Sequence, residues 1–101
     1  MIEVRQTTEF STWLRRLKDD NAVARIVARI RRMEQGNLGD SRSVGAGVME
    51  MRIDYGPGYR VYYVRRGASL AILLCGGDKR PQSRDIGRAQ ALALELAEGE
   101  R

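Results

Sequence analysis

The sequence predicts an α+β domain of order β-α-α-β-β-β-α, a small antiparallel sheet with an N-terminal helical hairpin and a C-terminal helix. Three observations lead there. Two apolar stripes at helical spacing follow the first few residues, three strand-like segments joined by short glycine turns fill the middle, and a third helical stripe closes the chain. The 101 residues, 43% of them hydrophobic, suit a single folded domain over residues 1–101 with enough apolar surface for one core.

Ile2 to Arg5 reads as a short strand. After Thr7-Thr8, a pair suited to helix capping, Phe10, Trp13, Leu14 and Leu17 fall at i, i+3, i+4 and i+7, one face of an amphipathic helix. That spacing makes Phe10 and Trp13 core residues. Lys18-Asp19-Asp20-Asn21 interrupts the pattern, and Asp20 or Asn21 is placed to cap a second helix. There Val23, Ile26, Val27, Ile30 and Met33 repeat the stripe, with Arg25, Arg29 and Arg32 on the other side and Gly36 at the end. So short a break predicts an αα-hairpin whose apolar faces turn the same way.

Gly36 to Gly47 holds four glycines in twelve residues without periodicity and reads as a loop. It lacks the lysine and the strand-then-helix setting of a nucleotide phosphate loop. Val48 to Asp54 alternates, with Met49, Met51 and Ile53 on one side and Glu50, Arg52 and Asp54 on the other. Tyr55-Gly56-Pro57-Gly58-Tyr59 supplies a turn, Arg60 to Arg65 the returning strand, and Arg66-Gly67 another turn. Ser69 to Cys75 is nearly all apolar, the mark of a strand covered on both faces. Gly76 to Gln82 reads as a polar loop. From Asp85 onward Ile86, Ala89, Leu92, Ala93 and Leu96 mark the last helix.

The charge narrows the function classes. Lysine and arginine total 18 against 13 acidic residues, a net charge of +5, which favours an anionic partner. Between Ala22 and Arg80 eleven basic residues face five acidic ones, and arginine outnumbers lysine sixteen to two. Planar guanidinium forks suit phosphate better than ammonium does. With no histidine and one cysteine, an imidazole triad, a zinc knuckle and an internal disulfide are all excluded. The longest uninterrupted apolar run, Leu70–Cys75, is far too short to span a bilayer, and the N-terminus is not a basic segment leading into an apolar signal core. The expectation is a small cytoplasmic domain with no membrane partner.

The strand segment gathers polar groups where chemistry is conceivable. Arg52 lies between Glu50 and Asp54, Arg60 stands across a tight turn, and Lys79 follows a glycine pair. An exposed ion-pair ladder would account for the same residues. The two carboxylates do not converge as a divalent cation site requires, so neither metal nor cofactor is expected. The remaining chemistry is cleavage of RNA in which guanidinium and ammonium groups stabilise the developing phosphorane charge and the substrate 2′-hydroxyl attacks.

The run from Val48 through Gly56-Pro57-Gly58-Tyr59-Arg60 to Tyr63, then Leu73-Leu74-Cys75-Gly76-Gly77-Asp78-Lys79 with Gln82 and Asp85-Ile86, resembles the RelE/ParE toxin superfamily. Within it the match is to the HigB-like addiction module killer branch, and Phe10-x-x-Trp13-Leu14 and the Ala24–Asp40 stretch fit as well. The resemblance implies a RelE-like fold. It also implies the toxin of a type II toxin–antitoxin pair, a metal-independent mRNA endonuclease that acts on the ribosome and stops translation and growth. Its partners would be mRNA, the ribosome and a cognate helix-turn-helix antitoxin.

Position by position, the resemblance assigns Arg60 to the scissile phosphate, with Arg52 and Lys79 as further basic residues. Glu50 stands where a second basic residue is found in other members; it either acts as an acid–base group or pairs with Arg52. Asp85 falls near a tyrosine that some members use. Arg65, Arg80, Gln82 and Arg84 are expected to contact RNA around this centre. Two other classes remain open at this point: a gyrase-inhibiting toxin of the same superfamily, without a nucleolytic site, and a basic nucleic-acid-binding module without turnover.

Overall fold

The computed structural model describes residues 1–78 and 81–99. Its elements are β1 (Glu3–Gln6), α1 (Thr8–Arg16), α2 (Asp20–Glu34), β2 (Ser41–Ser43), β3 (Val48–Ile53), β4 (Tyr59–Arg66), β5 (Leu70–Gly77) and α3 (Gln82–Gly99). The class is α+β, with three helices on a five-stranded mixed sheet of order β1-β5-β4-β3-β2.

Local chemistry sets the helix boundaries. Thr7 caps α1, its hydroxyl accepting from Phe10 N–H at 3.0 Å while donating to the Leu74 carbonyl at 2.7 Å, so the cap also ties the helix to β5. Asp19, one residue before the expected caps, opens α2 by accepting from Asn21 and Ala22 N–H groups at 3.0 and 3.2 Å. α2 ends in a paired turn. Gly36, at φ 95°, donates to Met33 O at 2.9 Å and Asn37 to Arg32 O at 2.9 Å, an arrangement that needs a left-handed residue after the cap.

The sheet departs from the expected antiparallel meander at both edges. β1 pairs in parallel with β5, Glu3 opposite Leu70 through Gln6 opposite Leu73. β2, in the segment expected to be a loop, pairs with β3 through Ser41 opposite Met51 and Ser43 opposite Met49. Neither pairing leaves a local trace. A parallel partner is chosen by long-range docking, and Ser-Arg-Ser carries no apolar alternation to reveal a strand.

Helices cover both faces. On one, Phe10 of α1 and Ala22, Ile26, Ile30 and Met33 of α2 pack on Met51, Val61, Tyr63 and Leu73. On the other, Ala89, Leu92 and Ala93 of α3 pack on Val48, Tyr62, Val64 and Leu74. Each valine, leucine, isoleucine, phenylalanine or methionine among them contributes about 1.5–3 kcal/mol when removed from water.

An irregularity in β5 decides which residues reach which face. Tyr62 lies opposite Cys75 but Tyr63 lies opposite Leu73, so Leu74 is the extra residue of a β-bulge. Leu74 and Cys75 therefore both face α3. Gly76 then turns toward Trp13 of α1 and Gly77 toward Asp85 of α3. Both glycines belong to β5, and α3 already begins at Gln82, so the expected Gly76–Gln82 loop is shorter at each end. Among the described residues no helix is long and apolar enough to cross a membrane.

Candidate functional site

Arg52 of β3 and Arg60 of β4 are register partners, directly opposite one another. Like charges in that relation destabilise a sheet, so an ion-pair ladder does not describe this end of it. Both arginines line a pocket of about 380 Å³ with Asp40, Asp54, Pro57 and Tyr59.

The backbone of Arg52 is held on both sides. Its N–H donates to Asp40 O at 2.9 Å, and its carbonyl accepts from Arg29 Nη1 of α2 at 2.8 Å. The side chain itself is exposed. Arg60 is fixed at its tip: Nη2 donates to Asp78 O at 3.1 Å and meets Asp85 Oδ2 at 3.5 Å. Gly77 lies opposite Arg60, and a β-carbon there would collide with the Asp85 carboxylate. The missing side chain is what lets α3 bring Asp85 down onto the strand.

Behind the arginines, toward α3, lies a buried polar network centred on Glu50, which has 0% exposure. Its Oε1 accepts from Arg42 Nε of β2 at 3.0 Å, and its Oε2 accepts from Tyr62 Oη at 2.9 Å and Gln82 Nε2 at 2.6 Å. Burial pushes the Glu50 carboxyl up, but the bonds from Gln82, Arg42 and Tyr62 outweigh it and hold the group below its ordinary value. Burial, and then the bond to the Glu50 carboxylate, push the Tyr62 hydroxyl well above the usual phenol range. Glu50 is thus an engaged carboxylate with no surface to offer a substrate. Its ion-pair partner is Arg42, which corrects the expected pairing with Arg52.

The structure unites some of the expected residues and separates others. Arg52 and Arg60 share the pocket; Glu50 and Gln82 form the network beneath it. Arg84 is exposed on α3, on the wall of a neighbouring groove. Arg65 lies at the far end of β4, five residues beyond Arg60, where its Nη2 donates to Ala68 O at 2.9 Å. It does not join the site. Lys79 and Arg80 lie outside the described residues. Among the described residues no three histidine, cysteine, aspartate or glutamate side chains come together.

Sequence reasoning passed over Arg42 and Tyr62 as members of this site, and named Asp85 only as standing near a tyrosine that other members use. Asp85 had a legible signal, since it stands four residues before Ala89 and seven before Leu92, on the buried stripe of α3. A charged residue on an apolar stripe calls for a partner. Arg42 and Tyr62 had none, because only the sheet register brings them to Glu50. Chemically, the arrangement offers two guanidiniums on one pocket, one anchored and one exposed, a set able to bind an anion with several acceptor oxygens.

The chain is 50% identical over 95 residues, 94% of its own length and 96% of the relative's, to an uncharacterized protein of Haemophilus influenzae. Residues 12–99 match the model of the family described as Phage derived protein Gp49-like (DUF891). That match takes in the last part of α1, all of α2, the arginine strands β3 and β4, and α3, and on its strength the chain belongs to the phage-derived Gp49-like family.

Proposed function

We propose that the chain is the toxin of a type II toxin–antitoxin pair, with a RelE-like fold and metal-independent endonuclease activity on mRNA at the ribosome. The observation that carries this reading is the direct opposition of Arg52 and Arg60 across β3 and β4. Asp85 balances one of these two cations, Arg60, and a phosphodiester passing to its dianionic transition state carries charge enough to engage both. Membership of a phage-derived family is compatible with a mobile toxin gene.

In this reaction the substrate 2′-hydroxyl attacks the adjacent phosphorus and the bond to the 5′ oxygen breaks. The products are a 2′,3′-cyclic phosphate and a 5′-hydroxyl; the 2′ proton passes to solvent and the leaving oxygen is protonated from it. Arg60, held by Asp78 O and Asp85, takes the non-bridging oxygens without reorganising. Arg52 adds a second cation from the exposed side. Glu50 acts as a positioning residue that fixes Gln82 and Arg42 rather than as the acid or base. Alignment of the strand then falls to the ribosome, and control to a helix-turn-helix antitoxin in the same cytoplasm.

Induced expression tests the proposal. Growth should stop, primer extension should reveal new 5′ ends inside translated messages, and Arg60→Ala should abolish both while keeping the circular dichroism of the folded domain. Continued translation with no new 5′ ends would refute it. Loss of gyrase supercoiling with intact messages would move the chain to the gyrase-inhibiting class instead.

A further inference from the structure

A second, larger concavity lies beside the arginine pocket, a groove of about 700 Å³ between α1 and α3. The pairing of β1 with β5 stops at Gln6 and Leu73. Beyond that point α1 covers β5 from one side and α3 from the other, and the groove opens where Cys75 and Gly76 form its floor. Trp13 lies against Gly76, where a β-carbon would collide with the indole. As its spacing predicts, the ring packs against the core beside Phe10, but it is only half-buried, and its remaining surface forms part of the groove wall.

The charges of this groove do not cancel. Its acidic residues are Glu9 and Asp85, and its cations are Arg16, Arg84 and Arg88. Glu9 is engaged by Arg88, Oε1 to Nη2 at 2.7 Å, and Asp85 by Arg60 of the neighbouring site. Two guanidiniums remain uncompensated among the described residues: Arg16, two turns beyond Glu9 on α1, and Arg84, one turn before Arg88 on α3. Both are exposed. Asp85 belongs to the groove wall and to the Arg60 site at once, and Gly76 on the floor is followed by Gly77 opposite Arg60. A polymer bound at Arg60 therefore has this groove as its adjoining surface.

We infer that the α1–α3 groove holds a nucleotide flanking the scissile phosphate of single-stranded RNA, its base on the Trp13 indole and its phosphate between Arg16 and Arg84. This rests on the reading of Arg52 and Arg60 as phosphate ligands. Aromatic face plus unpaired guanidiniums is the combination by which single strands are held without sequence reading. The volume is ample for one nucleotide. An acidic peptide would satisfy the two arginines equally, but it has no use for an indole wall continuous with a phosphate site.

Trp13 is the chain's one tryptophan, so its fluorescence reports occupancy of the groove directly. The experiment titrates the full chain with a single-stranded oligonucleotide carrying 2′-O-methyl groups, which cannot be cleaved. Emission should change saturably. Arg84→Glu and Arg16→Glu should each weaken binding roughly tenfold and flatten its salt dependence, while Arg31→Glu on α2 should stay within about twofold of the parent.

Binding without a change in Trp13 emission would overturn the inference. So would equal losses in Arg31→Glu and Arg84→Glu, the absence of any binding, or an emission change given by polyglutamate and not by the oligonucleotide. These outcomes are separable from those for cleavage. A chain that leaves messages intact but shows the groove titration loses the nuclease reading alone; a chain that cleaves but fails the titration loses only the groove.

Discussion

The Arg60 guanidinium meets the Asp85 carboxylate across the β4–α3 interface, Nη2 to Oδ2 at 3.5 Å, with the two side chains 15% and 4% exposed. A charged pair so nearly dehydrated is a weak source of stability but a strong source of position. It holds a cation where a mobile arginine would sample several rotamers.

Asp85→Ala should therefore act on both stability and activity. Loss of the carboxylate leaves Arg60 half-satisfied and should cost roughly 2–3 kcal/mol in urea denaturation. RNA cleavage should fall by about tenfold or more as Arg60 loses its geometry. Asp85→Asn retains an acceptor oxygen and should recover most of the activity; a variant as inactive as Asp85→Ala would show that charge rather than position is what Asp85 supplies.

Gly76→Ala tests the close approach of α1 to β5. The new methyl would meet the Trp13 ring, and displacing a packed indole should cost about 1–3 kcal/mol. The loss should appear as a lower denaturation midpoint together with a shifted Trp13 emission in the folded state. Unchanged emission would mean that the helix, not the ring, had moved.

Acid should expose the contribution of Glu50. Its folded value lies below the ordinary 4.5 because three donors favour the ionised form over the effect of burial. A depressed carboxylate stabilises the fold fully above its ordinary value and loses that contribution as pH falls through the folded value. The stability gap between the parent and Glu50→Gln should be constant near neutral pH and shrink below pH 4.5. Denaturation midpoints measured across that window read the difference; a gap that widens in acid would contradict the network.

Arg52→Ala should separate function from folding. The side chain is exposed and faces a like charge, so its loss should change stability by no more than about 0.5 kcal/mol, in either direction. Growth arrest on induction should nonetheless weaken markedly. Equal toxicity in Arg52→Ala would leave Arg60 as the sole phosphate ligand of the described site.

Much of this architecture is written in short-range pattern. The stripes Phe10–Leu17, Val23–Met33 and Ile86–Leu96 place three helices, alternation places β3, because a side chain's face follows directly from helical or strand periodicity, and the flanking glycine turns place β4. Composition likewise restricts the chemistry, since a chain without histidine has no imidazole for acid–base work and its side-chain cations are guanidinium and ammonium groups. The same pattern misplaces Glu50. Alternation sets it with Arg52 on the polar face of β3, and nothing local announces that α3 covers one of the two positions and leaves the other in solvent.

Taken alone, the sequence determined the three helices and four of the five strands of the described residues, the basic middle of the chain and the candidacy of Arg52 and Arg60. Tertiary structure decided what those arginines face. The register of β3 on β4 set them opposite each other, and the bulge at Leu74 turned Gly77 toward α3. The docking of that helix then brought Asp85 to Arg60 and Gln82 to Glu50. Each of these relations joins residues distant along the chain. They depend on loop closure and packing between elements, for which periodicity within a single element carries no information.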